Sequence, residues 1–434
     1  MENREKLIWV IACTLVFSVM NLGMFNVALP AVGEQFGLTP SQSGWVVSGF
    51  MILYAVGTVI YGKLADRYPL KRLLTFGLAL LAAGSAVGLL SANFGMLIAA
   101  RLIQAVGASV IPAISVIVPA RMFPPETRGR AIGLTSAGLA LGTAIGPIAA
   151  GMIATLLHWR FLFLLSLIPL LSLPFYRRYL ETEAAKGGRT DLFGGVLFAA
   201  AVSALLVSLT AGDWKFAAAG ALFLLCFLLR MVRVQDPFID LQLLRNRRYA
   251  LGLVTAGVGS GLAYGITYLM PLFLIEARQL TPLAGALIMF PGAALASLLG
   301  QSGGRLADRR GNTFLVYLAL TLSFAGFLMI AAASSASPYA VMVILLISFV
   351  GSTFFQIAMG NTISMTLPRE QTGVGMGLLM LSRFISGSCA VVLLSKALDA
   401  GAVYGRIYVM LAAATAAVGA LYWMAFGARR PESP

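Results

Sequence analysis

Gly62-Lys63-Leu64-Ala65-Asp66-Arg67 closes one apolar stretch of this chain, and 242 residues further on Gly304-Arg305-Leu306-Ala307-Asp308-Arg309 closes another. A second pair of landmarks agrees. Pro124-x-Glu126-x-x-Gly129-x-x-x-Gly133-Leu134 returns as Pro368-x-Glu370-x-x-Gly373-x-x-x-Gly377-Leu378, at an offset of 244. Chance recurrence of short Gly/Asp/Arg loops would not also keep the order of the stretches between them. The chain therefore reads as two similar halves, the plan expected where a substrate path runs between parallel repeats in a membrane.

The surroundings of these landmarks are apolar throughout. Of 434 residues, 59% are hydrophobic and 11% charged, against about 45–50% and about 25% in a soluble domain. A water-soluble fold could not cover so much apolar surface. Stretches of about 17–25 residues, each long enough to cross roughly 30 Å of hydrocarbon, recur along the whole length. Only structures that satisfy their own backbone survive there, so the expected fold is all-α and integral to the membrane, with about fourteen spans. The first covers Leu7–Pro30 and the last Ile407–Phe426. Between Leu192–Ala211 and Phe216–Val232, the seventh and eighth, only Gly212-Asp213-Trp214-Lys215 makes a turn. These two are extra to the repeat. The expected division is a six-helix bundle over 1–178, two inserted helices with linkers over 179–244, and a second six-helix bundle over 245–434.

A net charge of +15 raises nucleic acid as a partner, but the positions of the basic residues exclude it. Counted from a cytoplasmic N-terminus, Arg160, Lys215, Arg278, Lys396 and Arg406 lie outside, Arg101 and Arg383 lie well inside helices, and the other 24 lie on or next to the inner side. That asymmetry is the positive-inside pattern. It predicts a multi-pass protein of the cytoplasmic membrane with both termini in the cytoplasm. Leu7–Pro30 is longer than a signal-peptide core and lacks a small-residue cleavage site, so it is kept as the first helix. Cys13, Cys226 and Cys389 fall within predicted helices and read as small core residues, with neither a disulfide framework nor a metal site.

Four features carry chemistry. The loop from Gly62 through Asp66 and Arg67 to Arg72, with its counterpart Gly304, Asp308 and Arg309, combines a tight turn, a carboxylate and cations, which suits an inner gate locked by ion pairs. In the fifth helix Gly138, Gly142, Gly146 and Gly151 form a smooth stripe for close helix approach, and Pro147 is expected to bend it. In the fourth, Arg101 and Gln104 stand one turn apart. A cation in a helix costs about 2.5–3.5 kcal/mol at the bilayer centre, so it normally faces protein or water and has a task. Arg383, near the middle of the thirteenth helix, cannot reach either surface easily. No Asp or Glu lies deep in any span, so a partner or a substrate is expected to meet it. Asn21, Asn26, Gln104, Tyr264, Tyr268, Gln356 and Asn361 are candidate cavity-lining groups, each equally able to join helices.

These motifs resemble the major facilitator superfamily, whose loop between the second and third helices has the pattern at Gly62–Arg72; Pro69 stands here in place of its second glycine. The glycine stripe ending at Pro147 resembles the antiporter signature of drug-efflux members. Arg101-Leu-Ile-Gln104-Ala-Val-Gly107 resembles a further motif associated with proton transfer. Asn26-Val-Ala-Leu-Pro30 with Trp45, and His158-Trp159-Arg160-Phe161, resemble the fourteen-helix drug:proton antiporters. Phe290-Pro291-Gly292 and Gly373-Val-Gly-Met-Gly377 look closest to the class K and class L tetracycline efflux proteins. The resemblance, running from about residue 8 to 425, implies a major facilitator fold and export of a small amphipathic compound in exchange for protons. As aligned, the tetracycline proteins have acids where this chain has Leu22, Thr143 and Gly387, which leaves Asp66, Asp308, Glu276 and His158 as titratable candidates. A lipid-linked or anionic solute would suit the same fold and the two arginines.

An enzyme reading finds no residues. Gly57-Thr-Val-Ile-Tyr-Gly62-Lys63-Leu64 begins like a phosphate-binding loop, but Leu64 replaces the required hydroxyl residue. No cofactor or metal is expected. The expected partners are a small-molecule substrate, protons and the lipid bilayer, with the protein a monomer in a bacterial cell membrane.

Overall fold

A computed structural model describes residues 2–65, 67–123, 125–180, 191–235, 237–239, 241–333, 337–367 and 372–426. Among them fourteen helices are long and apolar enough to cross a membrane: α1 (Arg4–Phe36), α2 (Pro40–Leu64), α3 (Leu70–Leu89), α4 (Phe94–Pro119), α5 (Gly133–Leu156), α6 (Trp159–Tyr179), α7 (Leu192–Ala211), α8 (Trp214–Arg233), α9 (Arg247–Ala277), α10 (Pro282–Gly300), α11 (Asn312–Ala332), α12 (Pro338–Ser364), α13 (Val374–Asp399) and α14 (Tyr404–Phe426). The all-α membrane fold expected from hydropathy is the one observed. The first helix is longer than expected, running on through Pro30 to Phe36, and α9 ends in a π-helical turn at Phe273–Ala277. Pro30 has no N–H for the carbonyl one turn before it, at Asn26, but its φ is compatible with a helix.

Short polar caps separate these helices. Thr39 and Gln42 form a reciprocal capping box ahead of Pro40, satisfying two of the donors a helix start leaves open. Asn93, Asp213 and Ser337 each accept a backbone N–H at the start of α4, α8 and α12. Gly212 ends α7 at φ 68°, a left-handed conformation that a residue with a Cβ adopts at a cost. The turn between the two extra helices is therefore specified on both sides.

The chain divides into two compact units, residues 1–238 with 274–287, and residues 239–273 with 288–434. In the first, α1 packs along α5 and α3 along α4; in the second, α9 packs along α13 and α11 along α12. The sequence repeat is thus a repeat of helix pairing. The extra helices α7 and α8 belong to the first unit, where α7 lies on α2. Many apolar residues on α8 are exposed, among them Leu222, Leu225, Leu228 and Val232, as expected of a helix facing hydrocarbon. Cys13 and Cys226, expected in the core, are exposed, and Cys389 is half-buried; each is small and apolar enough for a lipid-facing position.

A buried carboxylate fixes the α7–α8 pair. The Asp191 side chain, fully buried, accepts from the Gly194 N–H at 2.9 Å, from Arg230 Nε at 2.6 Å and from the Phe238 N–H at 3.2 Å. Phe238 then packs against Phe198 and Phe227, and the carbonyl of neighbouring Pro237 accepts from Lys63 Nζ, in the last turn of α2. Asp191→Asn keeps an oxygen for the cap but loses the charge that Arg230 and the Phe238 N–H answer. A charge-assisted bond of this kind contributes about 1.5–3 kcal/mol. The thermal midpoint of purified protein is expected to fall, with Arg230→Ala falling by a similar amount; an unchanged midpoint for both would show that the clamp contributes nothing.

Candidate functional site

Arg101 is wholly enclosed within the first unit, with 0% exposure. Its guanidinium lies between two aromatic faces, 4.0 Å from the Phe25 ring centre and 4.1 Å from that of Phe50. Nε donates to the Val46 carbonyl at 3.1 Å, and Nη1 donates to Asn21 Oδ1 at 2.7 Å and Gln104 Oε1 at 3.0 Å. The network continues outward. Gln104 Nε2 donates to Ser85 Oγ at 2.8 Å, and Asn21 Nδ2 to Ser166 Oγ at 2.8 Å. Five helices, α1, α2, α3, α4 and α6, are thus joined in one network around a cation that has no carboxylate partner among the described residues. The aromatic sandwich supplies the counter-field in place of an anion.

This arrangement assigns three of the candidate residues. Arg101, Gln104 and Asn21 spend most of their polar atoms on one another and on neighbouring helices; Arg101 Nη2 is buried with no acceptor among the described residues. Ser85, Ser166, Phe25 and Phe50 complete the cluster, and nothing in their local sequence distinguishes them from ordinary helix residues.

The glycine stripe of α5 lies directly on the backbone of α1. A Cβ at Gly138 would stand 2.5 Å from the Ala12 carbonyl oxygen, one at Gly142 would collide with that of Val16, and one at Gly146 would reach Met20 Cα at 3.3 Å. The three partners are also spaced by four, so the two helices meet in register. Gly151 lies one turn further, where a Cβ would come within 2.8 Å of the Pro282 carbonyl oxygen. The helix continues through Pro147 to Leu156. In the second unit the stripe lies on the other partner. Gly257, Gly261 and Gly265 of α9 face α13, with Cβ positions 2.6 Å from Ser382 Oγ, 3.0 Å from the Ser386 carbonyl oxygen and 2.9 Å from Leu394. Their i, i+4 spacing was a readable signal in the sequence.

Arg383 is placed differently from Arg101. It is half-buried on α13, and its Nη2 donates to the Gln356 carbonyl at 2.7 Å. Its Nε is buried with no acceptor among the described residues. The Tyr264 hydroxyl lies within electrostatic reach, and the Tyr264 ring packs on Phe384 at 5.9 Å. Of the other candidates, Asn26 and Tyr268 are buried, whereas the Gln356 and Asn361 side chains are exposed.

Among the gate residues, Arg67, Gly62 and Gly304 are half-buried, and Arg72, Asp308 and Arg309 are exposed; Asp66 lies outside the described residues. His158 caps the turn at Trp159, accepting the Arg160 N–H. Partial desolvation, with the neighbouring Arg160 charge, lowers its pKa from the ordinary histidine value although the side chain is exposed. The adjoining Trp159 and Arg160 are anchors: Trp159 Nε1 donates to Gln35 at 2.7 Å, and Arg160 donates twice to the Ser91 carbonyl, at 3.1 and 2.6 Å.

Two repeated units built from fourteen helices of membrane-crossing length define a polytopic membrane protein. Residues 11–391 match the sequence profile of the Major Facilitator Superfamily, and the chain belongs to that family. It is 27% identical to the riboflavin transporter RibZ of Clostridioides difficile over 88% of this chain and 86% of RibZ. It is 28% identical to the multidrug resistance protein Stp of Mycobacterium tuberculosis over 92% of this chain and 77% of Stp. The fold is shared with a crystallised POT family transporter in complex with 5-aminolevulinic acid (TM-score 0.73, 14% identity, 96% and 94% covered). It is also shared with the nucleoside transporter NupG (TM-score 0.69, 12% identity, 97% and 99% covered).

Proposed function

We propose that this major facilitator protein is a secondary active efflux transporter, exporting a small amphipathic compound, tetracycline-like or multidrug in range, in exchange for protons. The observation that carries this reading is the seam of Gly138, Gly142 and Gly146 on the α1 backbone, the stripe whose sequence resembles the antiporter signature. A multidrug resistance protein among the relatives supports the class. In this reading the Arg101–Gln104 cluster braces the first unit while it moves, and Arg383 meets substrate or couples it. Gly62, Asp66, Arg67 and Arg72, with Gly304, Asp308 and Arg309, form inner gates. The protein acts as a monomer in the cytoplasmic membrane of a bacterium, with both termini in the cytoplasm.

The test uses everted membrane vesicles energised to an acid interior and followed with a pH-sensitive dye. Tetracycline with magnesium, chloramphenicol-type compounds and anionic compounds are added in turn. A substrate-dependent alkalinisation that control vesicles lack is expected. Silence towards every compound, with the protein shown to be folded and inserted, would refute proton-coupled efflux.

A further inference from the structure

The two intramembrane arginines answer opposite questions. Arg101 is enclosed, stacked on two rings and bonded through Nε and Nη1 to three acceptors on α1, α2 and its own α4, with Nη2 unanswered among the described residues. Among the described residues Arg383 donates one of its five N–H groups, to the Gln356 carbonyl, and its buried Nε has no acceptor there. A guanidinium has no other protonation state to retreat to, so its charge must be answered where it stands.

No acidic side chain among the described residues of the second unit is bonded to Arg383. The acids of that unit among the described residues are Asp308 and Asp399, both near the C-terminal ends of their helices. Asp399, on the same helix, is sixteen residues away, about 24 Å along the axis. The helices packed against α13 are α9, α12 and α14. Within their spans only Glu276, in the last turn of α9, is acidic.

The bond to Gln356 nonetheless fixes the guanidinium. A Cβ on Gly360 would stand 3.7 Å from Nη2, so the cation rests against the backbone of α12 over one helical turn. Arginine is thus held in place with most of its fork unspent, which is the geometry that recognises two oxygens of one anion through parallel N–H bonds. Tyr264 and Phe384, in contact with each other beside it, offer ring surface to an apolar or aromatic body.

We propose that Arg383 is the receptor for an oxyanion, and that the exported compounds include amphiphiles with a carboxylate or phosphate group attached to a ring system. This deepens the efflux reading and rests on it for the word exported; the binding site itself does not. The oxyanion could belong to a soluble compound or to a lipid headgroup, and the two sources are separable.

The experiment uses full-length protein in phosphatidylcholine nanodiscs and two xanthene dyes of similar size, anionic fluorescein and cationic rhodamine 123, followed by fluorescence anisotropy against empty discs. Fluorescein is expected to bind, with affinity falling about tenfold or more in Arg383→Gln, the equivalent of losing one charge-assisted bond. Arg383→Lys should fall between them, keeping charge without the fork. Rhodamine 123 should not prefer the wild type. Thermal midpoints for each variant separate lost binding from lost folding. Discs containing phosphatidylglycerol distinguish the source: displacement of fluorescein assigns the site to lipid headgroups, and unchanged binding assigns it to soluble anions. Equal fluorescein affinity in wild type and Arg383→Gln, or no fluorescein binding at all, overturns the proposal. Everted vesicles carrying the same variants keep the two readings apart. Binding without uptake would sink efflux and leave the anion site standing, whereas uptake indifferent to Arg383 would sink the anion site and leave efflux standing.

Discussion

Gly142→Val is expected to abolish transport and to leave little folded protein, the largest effect of any single substitution in the α5 stripe. Extra methyl groups in a packed interior usually cost about 1–3 kcal/mol, because neighbouring side chains rotate aside. Here the obstacle to the first added carbon is the Val16 carbonyl oxygen, which has no rotamer to adopt. The only relief is separation of α1 from α5, and that also opens the contacts at Ala12 and Met20. A membrane interior offers no hydrophobic force to close the seam again, since association there depends on close packing itself. The cost should therefore reach or exceed the top of the usual range. The stripe provides its own scale: Gly146→Ala meets Met20 Cα at 3.3 Å and should be mild, and Gly133→Ala, with no atom within 4 Å, should be silent. Thermal midpoints and vesicle transport should both rank Gly142→Val worst, then Gly146→Ala, then Gly133→Ala. Equal behaviour across the three would mean that the seam is not what the motif provides.

The same stripe shows how far the sequence could be read. Fourteen spans, the repeat and the α5 glycines were legible because each is a local pattern: long apolar runs, a matched offset, small residues four apart. The second stripe at Gly257, Gly261 and Gly265 was equally local, but it sits on the first helix of its half and not the fifth, where the repeat directed attention. Partners were not legible. Arg101 was expected to have a task, yet Phe25, Phe50, Ser85 and Ser166 come from other helices, up to 76 residues away in the sequence, and only helix packing brings them together. Asn21 read as well as a cavity group as it did as helix glue, because a polar side chain in an apolar run has the same cost in either place. Asp191 and Arg230 lie 39 residues apart at the ends of a helical hairpin, so their pairing follows from the α7–α8 turn and from no motif.

Arg101→Lys is expected to destabilise the protein almost as severely as Arg101→Ala, despite keeping the charge. Lysine's ammonium is compact and lacks the flat surface that lies between Phe25 and Phe50, and its three donors do not reproduce the spread from Nε to Nη1 that reaches Val46, Asn21 and Gln104 together. With alanine, three buried oxygens lose their donor, at about 1–3 kcal/mol for each that finds no substitute. Helices that separate within the bilayer find other polar partners, which draws the total towards the lower end. A fall of several kcal/mol would still remove most folded protein, because the whole margin of a typical domain is about 5–15 kcal/mol. The measurement is the yield and thermal midpoint of purified Arg101→Lys, Arg101→Ala and Gln104→Leu. The motif's association with proton transfer predicts the opposite pattern: folded variants, wild-type midpoints and transport uncoupled from the pH gradient. The geometry favours a brace, since Arg101 is sealed from water and has no carboxylate among the described residues to exchange a proton with.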